Sequence, residues 1–145
     1  MREPVFYGAV HILFYRAPDE VLLLLRQNTG FADGSWSVVA GRIDGGEEVK
    51  TAAIREAREE AGVHIEPEEL ELVGVYHRKN TRSEWIDFYL IAHSWSGEIV
   101  NCEPHKCGEL RWFRLSELPE NTVPYIRNAL LKNHEQLWFE SVGWS

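Results

Sequence analysis

The chain has 145 residues, 44% of them hydrophobic and 26% charged, with six tryptophans and a formal net charge of −8. That length fits one domain spanning residues 1–145, and the composition excludes a disordered chain. The acidic balance excludes a protein that tracks nucleic-acid backbones, so no stable nucleic-acid binding is expected. No apolar run reaches the ~18 residues that a membrane span needs. The start Met1-Arg2-Glu3-Pro4 lacks the apolar core of a signal peptide, so no membrane partner and a cytoplasmic location are expected.

Val5 to Tyr15 is rich in β-branched and aromatic residues and predicts a long strand. Pro18-Asp19 supplies a turn, and the continuous apolar run Val21 to Leu25 suits a strand covered on both faces. Asn28 to Ser35, with Gly30 and Gly34, predicts an irregular excursion; Trp36 to Val39 predicts a third strand that delivers the chain to a loop at Gly41. A helix follows, with Ala53 and Ala57 one turn apart and small enough to let it lie close on a sheet. Leu70 to Arg78 and Glu84 to His93 predict two more strands, the second alternating around Ile86, Phe88 and Leu90. Leu110 to Leu115 predicts another, leading into a helix that begins near Pro124, capped by Thr122, with Ile126, Leu130 and Leu137 near helical spacing. The aromatic tail from Leu137 to Trp144 is expected to dock on its own domain or on a partner. Two helices flanking a mixed β-sheet give an α/β fold, a three-layer α/β/α sandwich.

Within the first helix Glu56, Glu59 and Glu60 fall inside roughly 100° of arc. Three like charges on one face repel, unless a hard divalent cation such as Mg²⁺ takes their oxygens and keeps positions open for water and phosphate. Mn²⁺ is the alternative ion, Glu47 adds a possible fourth carboxylate, and a solvated acidic face is the plain alternative. Glycines at 41, 45 and 46 suit a loop that must approach such a site closely, and Gly62 suits the left-handed position that closes the helix. Cys102 and Cys107, with His105 between them and His93 upstream, lack the close cysteine pairing of a zinc site, so two reduced thiols are expected.

Gly41, Glu47, Arg55, Glu56, Glu59, Glu60, Gly62 and Val63 follow the spacing Gly, five residues, Glu, seven residues, Arg-Glu-aliphatic-any-Glu-Glu-any-Gly-aliphatic. This segment resembles the Nudix box, the signature of the Nudix hydrolases. Its seven fixed identities would coincide by chance on the order of once in 10⁸ starting positions. Ala57 is small where a larger aliphatic residue is usual, which bears on packing rather than chemistry.

The resemblance implies the Nudix fold and metal-dependent hydrolysis of a nucleoside diphosphate linked to another group. Glu56, Glu59 and Glu60 would be the principal metal ligands, the Gly41 carbonyl an added one, and Arg55 the residue that fixes a neighbouring glutamate. The general base comes from the box or from a later loop. Glu109 is the first candidate outside the box, as base and further ligand, because Glu-Leu-Arg-Trp-Phe-Arg-Leu resembles a segment that supplies such a carboxylate; Glu103 is second. Arg26 resembles a strand-end arginine that grips phosphate, or is a surface cation. Asn121 resembles a base-reading asparagine, or caps the last helix. His77, Arg78 and Lys79 form a basic cluster that approaches phosphates or ends a strand in solvent. Phe31, Trp36, Tyr76 and Trp85 are candidates to stack a nucleobase or to fill the core.

Absences narrow the substrate. The proline carried beyond the box by ADP-ribose pyrophosphatases and the tyrosine of dinucleoside polyphosphate hydrolases are missing. What remains resembles short MutT-like members, some with Asn-Thr-Gly-aromatic, Glu-Pro-His-Lys-Cys and Asn-Thr-Val-Pro-Tyr segments, found here at 28–31, 103–107 and 121–125. The expected reaction is cleavage of a nucleoside triphosphate to monophosphate and pyrophosphate. The alternatives are a nucleotide sugar, ADP-ribose or dinucleoside polyphosphate substrate, or a non-catalytic nucleotide-sensing module, which the complete set of box carboxylates disfavours. The resemblance also implies a possible homodimer.

Overall fold

The computed structural model describes residues 3–144; Met1 and Arg2, the start of the segment read for a leader, lie outside the described residues, as does Ser145. In chain order the elements are β1 Phe6–Arg16, β2 Glu20–Arg26, β3 Trp36–Ser37, β4 Val39–Arg42, α1 Val49–Ala61, β5 Leu70–Lys79, β6 Glu84–Ala92, β7 Cys107–Arg114, α2 Pro124–Leu130 and β8 Trp138–Val142. Among the described residues the strands form one eight-stranded sheet in the order β3-β2-β1-β6-β5-β8, with β4 joined to β1 and β7 to β2. It is mixed: β1 runs parallel to β6 and β5 parallel to β8, while the remaining pairs are antiparallel.

Period-two alternation along these strands feeds two cores, as a sheet covered on both faces requires. On one face Val10, Ile12, Phe14 and Leu90 pack against Ala53, Ala57 and Ala61 of α1, and Ala57 is fully buried there. On the other face Leu13, Leu23, Tyr76 and Tyr89 pack against Ile126, Ala129 and Leu130 of α2. This is the α/β/α layering expected from the pattern. Among the described residues no helix is long and apolar enough to cross a membrane.

Three local expectations are corrected. The strand expected over Trp36–Val39 is two strands: Trp36–Ser37 pairs with β2 and Val39–Arg42 with β1, so the chain changes partner at Val38. Gly41 is therefore a strand residue opposite Val10, not part of a loop. Thr122 does not cap α2. Val123 holds the cap position, and the Thr122 hydroxyl donates to the Pro119 carbonyl at 2.7 Å. Leu137 is not on that helix; it precedes β8 and is exposed.

The aromatic tail docks on its own chain. β8 lies parallel to β5, with Trp138 opposite Gly74, where a Cβ would sit 2.0 Å from the Trp138 ring. The indole packs against Tyr76 and Tyr89 at centroid distances of 5.0 and 5.3 Å, and its Nε1–H donates to His134 at 3.2 Å. Only glycine at 74 leaves room for that ring.

Candidate active site

The site is organised by α1. The Glu48 carboxylate accepts the Thr51 amide at 3.1 Å to start the helix, and Gly62, at φ 72°, ends it with its amide donating to the Arg58 carbonyl. With Ala52, Ala53, Ala57 and Ala61 filling the sheet-facing stripe, Glu56 falls on the same buried side, one turn before Glu60. Gly41 of β4 provides the space: a Cβ there would lie 2.1 Å from Glu56 Cδ. Close approach, rather than an unusual φ, demands glycine at this position.

The three box glutamates do not share one environment. Glu56 and Glu60 lie within hydrogen-bonding reach of each other, an arrangement that needs a proton on one of them. Burial pushes the Glu56 carboxyl up, with Arg55 opposing. Burial pushes Glu60 well above the usual carboxylate range, reinforced by Glu56, while the Ala40 amide opposes it. Glu59 is half exposed and takes a 3.3 Å contact from Arg55 Nη1.

Arg55 fixes this arrangement. Its Nε and Nη2 donate to the two oxygens of Glu47 at 2.8 and 2.9 Å, its Nη1 to Glu56 at 2.8 Å, and Nη2 also to the Arg42 carbonyl at 3.1 Å. Glu47 is thereby held down to about 2, chiefly by that guanidinium, and it also accepts the Asp44 amide at 3.0 Å. Glu47 holds Arg55 and the loop instead of joining the buried carboxylates.

Glu56, Glu59 and Glu60 face a cleft of about 370 Å³ together with Arg26, Glu103 and Lys106. Two loops are stitched together at its rim. The Gln27 amide donates to the Lys106 carbonyl at 3.0 Å, Gln27 Nε2 to the Pro104 carbonyl at 2.8 Å, and Asn28 Nδ2 to the His105 carbonyl at 2.8 Å. Arg26 donates from Nε to the Phe31 carbonyl at 2.7 Å and from Nη2 to Thr29 at 3.0 Å, and its guanidinium lies 5.2 Å from the Phe31 ring. Among the described residues no three His, Cys, Asp or Glu side chains are already gathered around an ion position. The donor set nevertheless fits a hard cation: carboxylates only, Glu56 buried and Glu60 partly so, and a glycine cradle that a Cβ would fill. Glu56, Glu59 and Glu60 would hold such an ion, which would take the place of the proton between Glu56 and Glu60.

A second cleft, of about 360 Å³, adjoins the first and shares Arg26, Ala40 and Gly41 with it. Phe31, Trp85 and Tyr125 supply aromatic walls, and Arg42, Arg78 and Asn80 complete the polar lining. Of the four aromatic candidates, Phe31 and Trp85 reach this cleft, whereas Trp36 and Tyr76 are core. Tyr125 and Lys106 were missed in sequence, because only the fold brings their segments to the clefts.

Other expected site residues fall elsewhere. Glu109 lines neither cleft; it is exposed on β7 and lies 3.5 Å from Arg111 on the same strand face, while Glu103 lines the first cleft. Asn121 neither lines a cleft nor caps α2: its Nδ2 donates to the Gly34 carbonyl at 2.8 Å. His77 is covered by the rings of Phe6 and Trp144 at 5.9 and 4.7 Å. Arg78, expected to approach phosphates or to end a strand in solvent, does line the second cleft, but as a buried residue paired with Asp87. The Cys107 thiol, pushed up by burial, donates to the Glu109 carbonyl; Cys102 is exposed near Gly62.

A family model described as the NUDIX domain matches residues 6–132. An uncharacterized Nudix hydrolase of Bacillus subtilis, YvcI, is 32% identical over 69% of this chain and 61% of its own length. The human 8-oxo-dGDP phosphatase NUDT18 is 32% identical over 82% of this chain and 35% of its own length. The chain thus spans less than two thirds of either relative. A crystal structure of a MutT NUDIX hydrolase from Burkholderia pseudomallei superposes with a TM-score of 0.79 at 28% identity, covering 87% of this chain and 96% of that one.

Proposed function

The chain belongs to the Nudix family, and from that premise we propose that it is a metal-dependent hydrolase cleaving a nucleoside triphosphate to monophosphate and pyrophosphate. The observation that carries this reading is the pair of the buried Glu56 and the partly buried Glu60 opening into a cleft that also holds Arg26 and Lys106, beside a second cleft with aromatic walls. Glu56, Glu59 and Glu60 hold the divalent cation, with the Gly41 carbonyl as a further ligand; Mg²⁺ is the expected ion and Mn²⁺ its substitute. When bound, the ion neutralises anhydride oxygens and lowers the pKa of the attacking water.

The protein groups do the rest. Arg26 and Lys106 offset phosphate charge from the opposite rim, and Arg55 keeps Glu56 and Glu59 aimed at the cleft. Glu103 is favoured over Glu109 for accepting the proton of the attacking water, because it faces the cleft. The base and sugar occupy the aromatic cleft, which Arg26 joins to the phosphate side. That division suits a nucleotide rather than a bare polyphosphate. NUDT18 is named for acting on 8-oxo-dGDP, a nucleoside diphosphate, so diphosphates belong among the substrates tested.

The experiment is to incubate the protein and a Glu60→Gln variant with Mg²⁺ and nucleoside tri- and diphosphates, nucleotide sugars, ADP-ribose and dinucleoside polyphosphates, resolving products by chromatography. Metal-dependent monophosphate and pyrophosphate from a triphosphate, lost in the variant, is the expected result. Cleavage confined to another class replaces the substrate; binding without turnover across the panel refutes hydrolysis.

A further inference from the structure

The wall of the second cleft contains a charged pair that the hydrolytic chemistry does not use. Asp87 is wholly buried on β6, and Arg78 of the neighbouring β5 is only 8% exposed. The guanidinium is held from several sides. Its Nε and Nη2 donate to the two Asp87 oxygens at 2.6 and 3.2 Å, Tyr125 lies 4.6 Å from it and Trp85 5.3 Å. A buried ion pair gives little net stability over an apolar pair of the same size, so its position at a binding cleft calls for another reason.

The geometry of the pair supplies one. Asp87 takes the side edge of the guanidinium, formed by Nε and Nη2. That leaves the end edge, Nη1 and the second hydrogen of Nη2, with no hydrogen-bond partner among the described residues, on a residue that lines the cleft. Two parallel donors in a fixed plane match two adjacent acceptors on a ring edge, which guanine presents as O6 and N7. The rest of the polar lining is also rich in donors. Arg26 and Arg42 are cations, and the Asn80 oxygen is occupied by the Arg82 and Ser83 amides at 2.8 Å each, leaving its NH₂ as the free group. Adenine would turn its N6 amino donor towards the guanidinium, and a guanine oxidised at C8 would turn an N7 proton towards it.

We propose that Arg78, positioned by Asp87, Trp85 and Tyr125, reads the O6/N7 edge of a 6-oxopurine, so that the protein selects guanine and hypoxanthine nucleotides over adenine, pyrimidine and 8-oxoguanine nucleotides. This rests on the reading of the second cleft as the nucleobase site. Two measurements keep the outcomes apart. The first is kcat/KM for GTP, ITP, ATP, CTP, UTP, 8-oxo-GTP and 7-deaza-GTP. The second is the affinity for the corresponding monophosphates, which contain no anhydride to cleave, read by tryptophan fluorescence.

The expected result is a preference of about 5- to 150-fold for GTP and ITP over ATP, with a loss of similar size for 7-deaza-GTP, which lacks the N7 acceptor. Arg78→Lys keeps a charge beside Asp87 but removes the fork. It and the double variant Arg78→Met with Asp87→Asn, which leaves no orphan carboxylate, should both reduce the guanine-over-adenine ratio to below about threefold. Equal treatment of guanine and adenine, a preference for any other base, an unimpaired 7-deaza substrate, or no saturable monophosphate binding overturns the proposal. Turnover with indifference to the base overturns it while leaving hydrolysis standing. Base-selective monophosphate binding without turnover overturns hydrolysis alone.

Discussion

The two clefts share Arg26 and a short stretch of β4, yet they are built on opposite electrostatic plans. In the first, the buried Glu56 and the partly buried Glu60 lie side by side, so that neither is comfortable ionised without a cation. In the second, a carboxylate is buried beneath an arginine that neutralises it, and the polar lining, with Arg26, Arg42 and the Asn80 amide, offers donor groups. A site whose carboxylates crowd one another is prepared for an ion. One lined by donors is prepared for an acceptor-bearing ring.

The contrast fails most directly if the adjacent carboxylates Glu56 and Glu60 prove dispensable. Glu56→Gln and Glu60→Gln should each lower metal-dependent turnover by at least about 100-fold, since a metal's share of transition-state charge stabilisation is several kcal/mol. Circular dichroism and thermal unfolding should remain native, because an amide can keep the contact with the neighbouring carboxyl. Gly41→Ala comes next. Its Cβ would meet Glu56 within 2.1 Å, so turnover should fall by about 10- to 100-fold with a stability loss of about 1–3 kcal/mol, measured by denaturant titration.

A pH experiment sharpens the comparison. Glu56 and Glu60 have folded pKa values raised above their unfolded ones, so their contribution to stability is present at low pH. It is lost as pH rises through the folded values. With a chelator the melting temperature should therefore fall as the pH is raised from mildly acidic to neutral, and the gain on adding Mg²⁺ should grow over the same range. A constant gain would deny any competition between proton and metal. The smallest contrast concerns the two outlying glutamates. Glu103→Gln should alter the pH–rate profile, whereas Glu109→Gln should leave kcat/KM within about twofold, because an exposed strand residue outside the clefts has little to disturb.

How much of this was legible in the sequence follows the same division. The first cleft is largely local: glycine spacing, helical periodicity and capping lie within residues 41–63, and that segment formed α1 with Glu56, Glu59 and Glu60 at one cleft. The second cleft is assembled from β1, β4, β5, β6, α2 and the 26–31 segment, so no single window reveals it. Arg78 read as a cation meeting phosphate or solvent because its partner Asp87 lies across a hairpin, and strand alternation turned it inwards. Glu109 read as a site residue because its segment resembles one that supplies a carboxylate; its place outside the clefts follows from the face of β7, set by a register shift opposite Leu24 and Arg26 that only pairing reveals. Leu137 matched helical spacing by coincidence; the real signal there was Trp138, whose niche at Gly74 lies far back in the chain. Segments 28–31, 103–107 and 121–125 are tied together in sequence only by resemblance, and the structure gives each a place. The first two are stitched together at the rim of the first cleft, and the third carries Tyr125 to the second.

The pairing of β8 with β5 also has a consequence for biosynthesis. A ribosome delivers α1 and both carboxylates of the first cleft long before Trp138 exists. Until that indole emerges, Gly74, Tyr76 and Tyr89 face an unfilled slot, and β5 is an open edge able to pair with strands of other nascent chains. The interval before β8 arrives is thus the period of greatest aggregation risk, and a holdase chaperone that covers β5 would act most usefully then.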